Sequence, residues 1–487
     1  MTIVVVLSLI AITLALSYSI LRSQMTSMQI QANSDRSKLA RQAAITGLSV
    51  GLRKIHQSSW GGTLSSIAGT ISNYESYLVT YTAGDASLTS GNADYADLPY
   101  RVTITSVGTS QDPAHSNISS TDTVEAVVRL VCKQVTTPPS TWRSMQAFTV
   151  YQKDAQDFTV DVPCRIEGPL RVQGAFKLGE EYSWSTTARQ RYMSDLNAMR
   201  TNGYADYRPV NGPISMPLAN SDATNKGLLT DKLMVTVGDI PIAGRPTIPF
   251  PAALTSYRIY TGGPLYQVPQ LSSSLQNVTY APDPATNPLG IYFAPADTTL
   301  HSGVSITGTL VGAGSIHVAE PGVQLIPFDM RPLLSSASSP IRLPTVVAGG
   351  DFVVDAGGGG GVGGIVLANG AFGAARGAAS SSFQLTGRVI ADEFHVYERS
   401  NWDLSSGAWA VGWTLFTNQL SQPPASRVNY FPVYLGNLGM NPIPLLTIKP
   451  DLTSLTPHWQ DLAQPVYVAD PADPGLRWDL VRWTDKP

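Results

Sequence analysis

The first twenty-one residues, MTIVVVLSLIAITLALSYSIL, carry no charged side chain, and this stretch constrains the chain more than any other. About 20 consecutive apolar residues, wound as an α-helix, match the hydrocarbon thickness of a bilayer. Charge first appears at Arg22. From there to about Ile55 there is no Pro and no Gly before Gly47, and Gln, Arg, Ala, Met and Leu dominate. The two runs together predict one unbroken helix, roughly 80 Å long at 1.5 Å per residue. Within its second part Met25, Met28, Ala32, Leu39, Ala43, Leu48, Leu52 and Ile55 recur at mostly three- or four-residue intervals, as on a helix laid against another surface.

A cleaved secretory signal has a basic region before its apolar stretch and a small-residue exit after it. Nothing basic precedes Ile3, and the continuation RSQMTSMQIQANSDRSKLARQAAITGL offers no such exit. The segment therefore reads as a retained helix. It is either a membrane anchor leading into a stalk, or a helix made to bundle with copies of itself.

The remaining chain has a different character. The whole chain, at 487 residues, suffices for two or three folding units. With 42 Gly and 35 Pro among many Ser, Thr, Val and Tyr, it favours short strands and frequent turns. Only 14% of residues are charged and the net charge is -3, so no polybasic surface points to nucleic acid.

Four regions follow from the patterning: a helix over 1–56, a small α+β head over 57–158, a solenoid-like domain over 159–398 interrupted by an insertion at about 180–298, and a tail over 399–487. In the head, TDTVEAVVRLVCKQV alternates so that Val124, Ala126, Val128, Leu130 and Cys132 share a face. Beyond it, short apolar pairs separated by Gly recur every six to eight residues, as in the coils of a parallel β-helix. This rhythm sets Val304, Ile306, Leu310, Ile316, Val318, Val323 and Leu325 inward, then Val353, Ile365, Leu367, Phe372, Leu385, Val389, Ile390 and Phe394. A β-sandwich is the competing arrangement. The tail holds six of the nine tryptophans, Trp402, Trp409, Trp413, Trp459, Trp478 and Trp483, which are expected to cap the open solenoid end or to form a binding surface.

Little in the chain points to chemistry. His56, His115, His301, His317, His395 and His458 are scattered without metal-ligand spacing, and no cofactor or metal is expected. Asp392 and Glu393, beside His395, form a carboxylate pair that a polysaccharide-cleaving solenoid could use, and otherwise read as an exposed polar edge. DAGGGGGVGG contains a GxGxxG match but no helical pattern follows it, so it reads as a flexible or tightly turning loop. Cys132 and Cys164 either pair or remain separate buried thiols.

A start of Met-Thr-Ile, a long Val/Leu/Ile helix and a polar amphipathic half resemble a type IV pilin or pseudopilin whose leader has been removed. More narrowly, LALSYSILRSQMTSMQIQANSDRSKLARQAAITGL is similar to the N-terminal region of PilX-type pilus assembly proteins. Phrases such as GIVLANGAF and GRVIADEFHV resemble their C-terminal regions. The chain departs from the pilin pattern at Val5, where most major pilins carry glutamate. The resemblance implies a non-enzymatic structural subunit of an extracellular filament on a bacterial surface, anchored in the inner membrane before assembly. Its partners would be further copies of itself and the membrane-embedded assembly machinery. Helix bundling would fall to Met1, Thr2, Ile3, Val5, Leu9 and Leu16, with Arg22 marking the exit from the membrane. A minor tip subunit acting as adhesin and a membrane-anchored carbohydrate-active β-helix are the alternatives.

Overall fold

The computed structural model describes residues 2–115, 117–132, 148–152, 254–329, 343–355, 358–374, 383–396, 446–449 and 476–486, together with short strands at 158–160, 164–166, 170–172, 176–178, 228–229 and 235–237. The chain divides into two compact units. The first comprises 1–133, 259–264 and 469–487, and the second comprises 134–258 and 265–468.

The first unit begins with the helix expected from the sequence, α1 (Thr2–Lys54), continuous through both its apolar and its amphipathic parts. Arg53 and Lys54 in its last turn complement the negative end of the helix dipole. Only the later part of α1 packs on the rest of the unit: Ala40, Ala43, Ala44 and Leu48 are buried, as is Ile55 just after its end. They lie on an antiparallel sheet of β1 (Ser66–Thr70), β2 (Glu75–Ala83), β3 (Arg101–Gln111) and β4 (Ser119–Cys132). A closing strand from the far end of the sequence, Leu476–Lys486, pairs along β4 and completes the order β1-β2-β3-β4-closing strand.

Strand register explains the helix-facing side. Val79 lies opposite Ser106, Tyr81 opposite Ile104, and Gly108 opposite Asp122, while Val124, Ala126 and Val128 face Ser106, Ile104 and Val102. Alternation thus turns the face predicted for β4 towards α1. The approach is close because both surfaces are small at the crossing. A Cβ added to Gly108 would lie 2.0 Å from the Ala40 carbonyl oxygen, and one added to Gly47 would lie 2.4 Å from Ser106 Oγ. Tyr81 donates its hydroxyl to the Gly51 carbonyl at 3.0 Å, and burial pushes its pKa up to about 12.

The second unit is a parallel solenoid with three faces. One face stacks Ser274–Leu275, Thr298–Leu300, Ile316–Val318, Phe352–Val354 and the ends of two long strands, Gly360–Ala374 and Phe383–Val396. A second stacks Thr279–Tyr280, Ser305–Thr307, Val323–Ile326 and the starts of those long strands. The third stacks Ile291–Ala294, Thr309–Gly312, Val346–Ala348 and their middles. On the first two faces burial alternates. On the third, IYFA, TLVG and VVA are buried throughout, and accordingly they read as continuous apolar runs in the sequence.

The core runs up the axis through Leu300, Ile316, Phe352, Phe372 and Phe394. The Phe352, Phe372 and Phe394 rings stack at 5.6 and 5.3 Å, which follows from one ring per coil at the strand spacing. One corner is tied by a ladder of side chains. Asp297 Oδ1 accepts the Ser315 N–H at 2.8 Å, Ser315 Oγ accepts the Asp351 N–H at 3.0 Å, and Asp351 Oδ1 accepts the Ala371 N–H at 2.7 Å. Each coil thereby supplies the acceptor for the next coil's turn.

Several expectations change. Coil order in space is not coil order in sequence: Val150–Gln152, read above as part of the head, stacks on Phe383–Val396, so an early coil lies against a late one. Phe158–Val160 joins the same strand, Leu446–Lys449 stacks beside it, and Cys164–Ile166 and Leu170–Val172 follow. Any coil with inward aliphatics at the right spacing can stack on any other, so the sequence does not dictate the order. The stretch expected as an insertion up to 298 itself contributes coil strands, at Leu228–Leu229 and Val235–Val237 and again from Ser274. Val353 faces outward, since Phe352 and Val354 occupy the inward positions. Ile365, Leu367 and Ile390 are buried but lie outside the axial cluster, where Val366, Ala368, Val389 and Ala391 point inward. The glycine-rich run enters a strand at Gly360 instead of forming a loop, and Gly360, at φ +130°, comes so close to Val323 that a Cβ would meet its carbonyl oxygen at 2.0 Å.

The tightness of the crossing at Gly108 generates a prediction. Gly108→Val forces α1 away from β3 and costs about 1–3 kcal/mol, as overpacking does elsewhere. Chemical denaturation of the full chain should show a lower midpoint for the first unit.

Candidate assembly helix and its anchorage

Beyond the sheet, α1 is bare. Ile3, Val5, Leu9 and Leu16 are 56–75% exposed, and residues 3–35 are all exposed. This is the one helix among the described residues that is long and apolar enough to cross a membrane. Val5, Leu9 and Leu16, spaced by four and seven, share one face at roughly 100° per residue, whereas Ile3 lies on the other side. The expected bundling residues therefore do not make one stripe, and an apolar surface all round the helix suits burial on every side. Thr2 lies in the first turn of α1, and Met1 lies outside the described residues.

Two hydroxyls of this segment are satisfied by the helix backbone. Ser8 Oγ donates to the Val4 carbonyl at 2.8 Å, and Thr13 Oγ1 to the Leu9 and Ile10 carbonyls at 2.9 Å. Back-bonding of this kind removes the cost of placing a hydroxyl among lipid tails or apolar neighbours. Tyr18 lies just before Arg22, the first charge, an order suited to an interfacial boundary.

Where α1 meets the sheet, charge takes over. Arg36 pairs with Asp112 in the turn after β3 and also donates to Asn33. The Ala114 and His115 N–H groups and the Arg36 guanidinium hold the Asp112 carboxyl below its usual range against partial desolvation. Farther along, Arg41 reaches Asp485 of the closing strand at 2.5 Å.

The opposite side of the sheet holds a buried ionic network that sequence reasoning missed. Arg101 is bound by Asp85 at 3.1 Å, Asp94 at 3.3 Å and Asp97 at 3.4 Å, and Arg129 also reaches Asp97, at 3.2 Å. Arg482 of the closing strand adds contacts to Asp85 at 3.1 Å and Glu125 at 3.7 Å. Burial opposes ionisation of Asp85, but hydrogen bonds from Ser87 and Arg101 and the Arg482 charge outweigh it and hold its pKa low. Near the end of α1, Trp60 packs edge-on to Tyr81 at 5.5 Å, stacks on Tyr260 at 6.3 Å and meets Trp478 at 5.9 Å. Trp478, expected at the solenoid end, thus belongs to the core of the first unit. Trp402, Trp409, Trp413 and Trp459 lie outside the described residues, as do the side chains of Cys132 and Cys164.

Asp392 and Glu393 lie half-buried on Phe383–Val396, and the His395 side chain lies outside the described residues. Among the described residues no three His, Cys, Asp or Glu side chains are grouped to hold a metal.

Two outcomes follow. Ile12→Lys, placing a charge near the middle of the apolar segment, costs about 2.5–3.5 kcal/mol of membrane insertion, so alkaline extraction of membranes should release more of this variant than of the native chain. Because Asp85 is held below its unfolded pKa of about 3.9, its contribution to stability is complete above that pH and is lost as pH falls through the lower folded value. Calorimetry from pH 7 to pH 3 should show the melting of the first unit falling at the acid end, with Asp85→Asn lowering stability at pH 7 and flattening that fall.

No family model matches the chain, and none of the curated proteins does. Among solved structures, the chain is similar to an ice-binding protein domain of Shewanella frigidimarina, at 13% identity and a TM-score of 0.26, covering 54% of this chain and 96% of that one. It is also similar to the competence-associated pilin ComZ of Thermus thermophilus, at 12% identity and a TM-score of 0.24, covering 93% of this chain and 98% of that one.

Proposed function

We propose that this chain is a structural subunit of a type IV pilus-like extracellular filament on a bacterial surface. It polymerises by bundling its apolar helices at the axis, with the β-rich units outside. The single observation that carries this reading is the division of α1. Residues 3–35 form a bare, charge-poor rod, while residues from Ala40 onward are fastened to a sheet by close packing. The rod's first part, residues 3–21, is apolar on every side and is stable only when surrounded, first by lipid and then by other helices. Its role is assembly and not catalysis, and its partners are other copies of itself and the machinery that lifts it out of the inner membrane. The finer likeness to PilX-type proteins rests on the N-terminal phrases and the coil phrases quoted above.

A second reading, a minor subunit at the filament tip acting as an adhesin, is favoured by one feature. The first carboxylate in the chain is Asp35, so no acidic group lies within the apolar segment. A helix without a buried carboxylate packs at no desolvation cost but lacks a charged group to set its register.

Electron cryo-microscopy of filaments sheared from producing cells separates these readings. A bulk subunit shows this sequence at every position, with α1 bundled at the axis. Filaments built from another protein, with this chain confined to one end, support the tip reading, and the absence of the chain from any filament overturns both.

A further inference from the structure

The closing strand Leu476–Lys486 forms one edge of the five-stranded sheet, and among its charged residues it carries three exposed apolar side chains, Leu480, Val481 and Trp483. Leu480 lies opposite Val128 and Trp483 opposite Ala126, so both are on the side of the sheet that carries α1. They are 53% and 45% exposed, and Val481, at the irregularity between them, is 44% exposed. Sheet edges are normally protected by charge or cover, and large exposed apolar side chains on one mark a contact surface. The charges bordering this patch are already engaged within the unit: Asp479 with Arg477, Arg482 with Asp85 and Glu125, and Asp485 with Arg41. What they leave between them is a neutral apolar shelf beside the flank of α1.

The same chain supplies a matching surface. From Ser23 to Ser34 α1 carries no charge, and Leu21, Met25 and Met28 lie on one face at intervals of four and three, each more than half exposed. Methionine adapts readily to an irregular apolar surface. A neutral stripe and a neutral shelf at different places on one molecule cannot satisfy each other within a single copy, because α1 runs straight from one to the other as a continuous helix. Between copies, a contact of unlike surfaces repeats without closing and generates a helical polymer.

We propose that Leu480, Val481 and Trp483 form the docking shelf for the Leu21–Met28 stripe of a second copy of this chain. This rests on the filament reading and deepens it by naming a contact outside the apolar bundle. Since Arg41 pairs with Asp485, Trp483 lies level with about residue 45 of its own helix, so seating Met25–Met28 there offsets the two copies by roughly 25–30 Å along the axis.

The test places a photo-crosslinking phenylalanine analogue at Trp483 of the full chain and irradiates filaments and, separately, detergent-solubilised membranes. Covalent dimers whose digests join position 483 to residues 21–32 of a second copy are the expected result. Cross-links elsewhere in the chain, to another protein, or none, overturn the proposal. As a second measure, Trp483→Gln should leave the melting of the solubilised chain unchanged while lowering filament yield at least about tenfold. An unchanged yield overturns the docking shelf and leaves the filament reading intact. If the native chain forms no filaments, the filament reading fails, and the cross-links in detergent decide the edge contact by themselves.

Discussion

The rest of the first unit depends on how closely α1 can approach its sheet. That distance is set by absent side chains: Ala40, Ala44 and Gly47 on the helix, Gly108 and Ser106 on β3. Where two backbones come this close, dispersion contacts are dense and no large side chain has to be ordered. The helix therefore has a firm base over its last four to five turns, while its first two-thirds stand free. A rod fixed at one end and bare at the other can pass from lipid to a protein bundle without refolding its base.

The closing strand extends that logic across the whole sequence. It lies more than 340 residues beyond β4 in the sequence, yet its residues reach α1 through Asp485, the far side of the sheet through Arg482, and the aromatic cluster through Trp478. The first unit is thus not complete until the last residues of the chain are in place. The Arg101 network has a related effect. Its carboxylates come from the segment between β2 and β3, and removing one partner would leave a buried charge uncompensated, so the cluster favours a single arrangement of that segment.

In the solenoid, stacking supplies what no coil holds alone. Inward aliphatics meet the coil above and below, and corner residues such as Asp297 and Asp351 exchange hydrogen bonds with the next turn. Such an array tolerates coils contributed out of sequence order, which is how Val150–Gln152 comes to lie on Phe383–Val396. Cooperation between neighbours, not chain continuity, decides which strands pair.

Local periodicity makes much of this legible. The uncharged opening, the continuous helix to Lys54, the alternating face of β4 and the inward positions from Val304 to Leu325 all follow from spacing and side-chain type, because each depends on residues close in sequence. Val353 reads wrongly as inward because Phe352, Val353 and Val354 are all apolar, and only contact with Phe372 selects Phe352 and Val354 over it. The closing strand, the Trp60–Tyr260–Trp478 cluster and the Arg101 network leave no local signal. Trp60, Tyr260 and Trp478 are brought together from three separate stretches of the chain, up to 133, 259–264 and from 469, and an arginine meeting three aspartates looks, in sequence, like an ordinary polar turn. The sequence by itself determined a long helix that must be surrounded and a body of stacked strands. Tertiary structure alone decided where that helix is fastened and which distant strand completes its sheet, because those contacts are chosen by close packing and charge pairing in space.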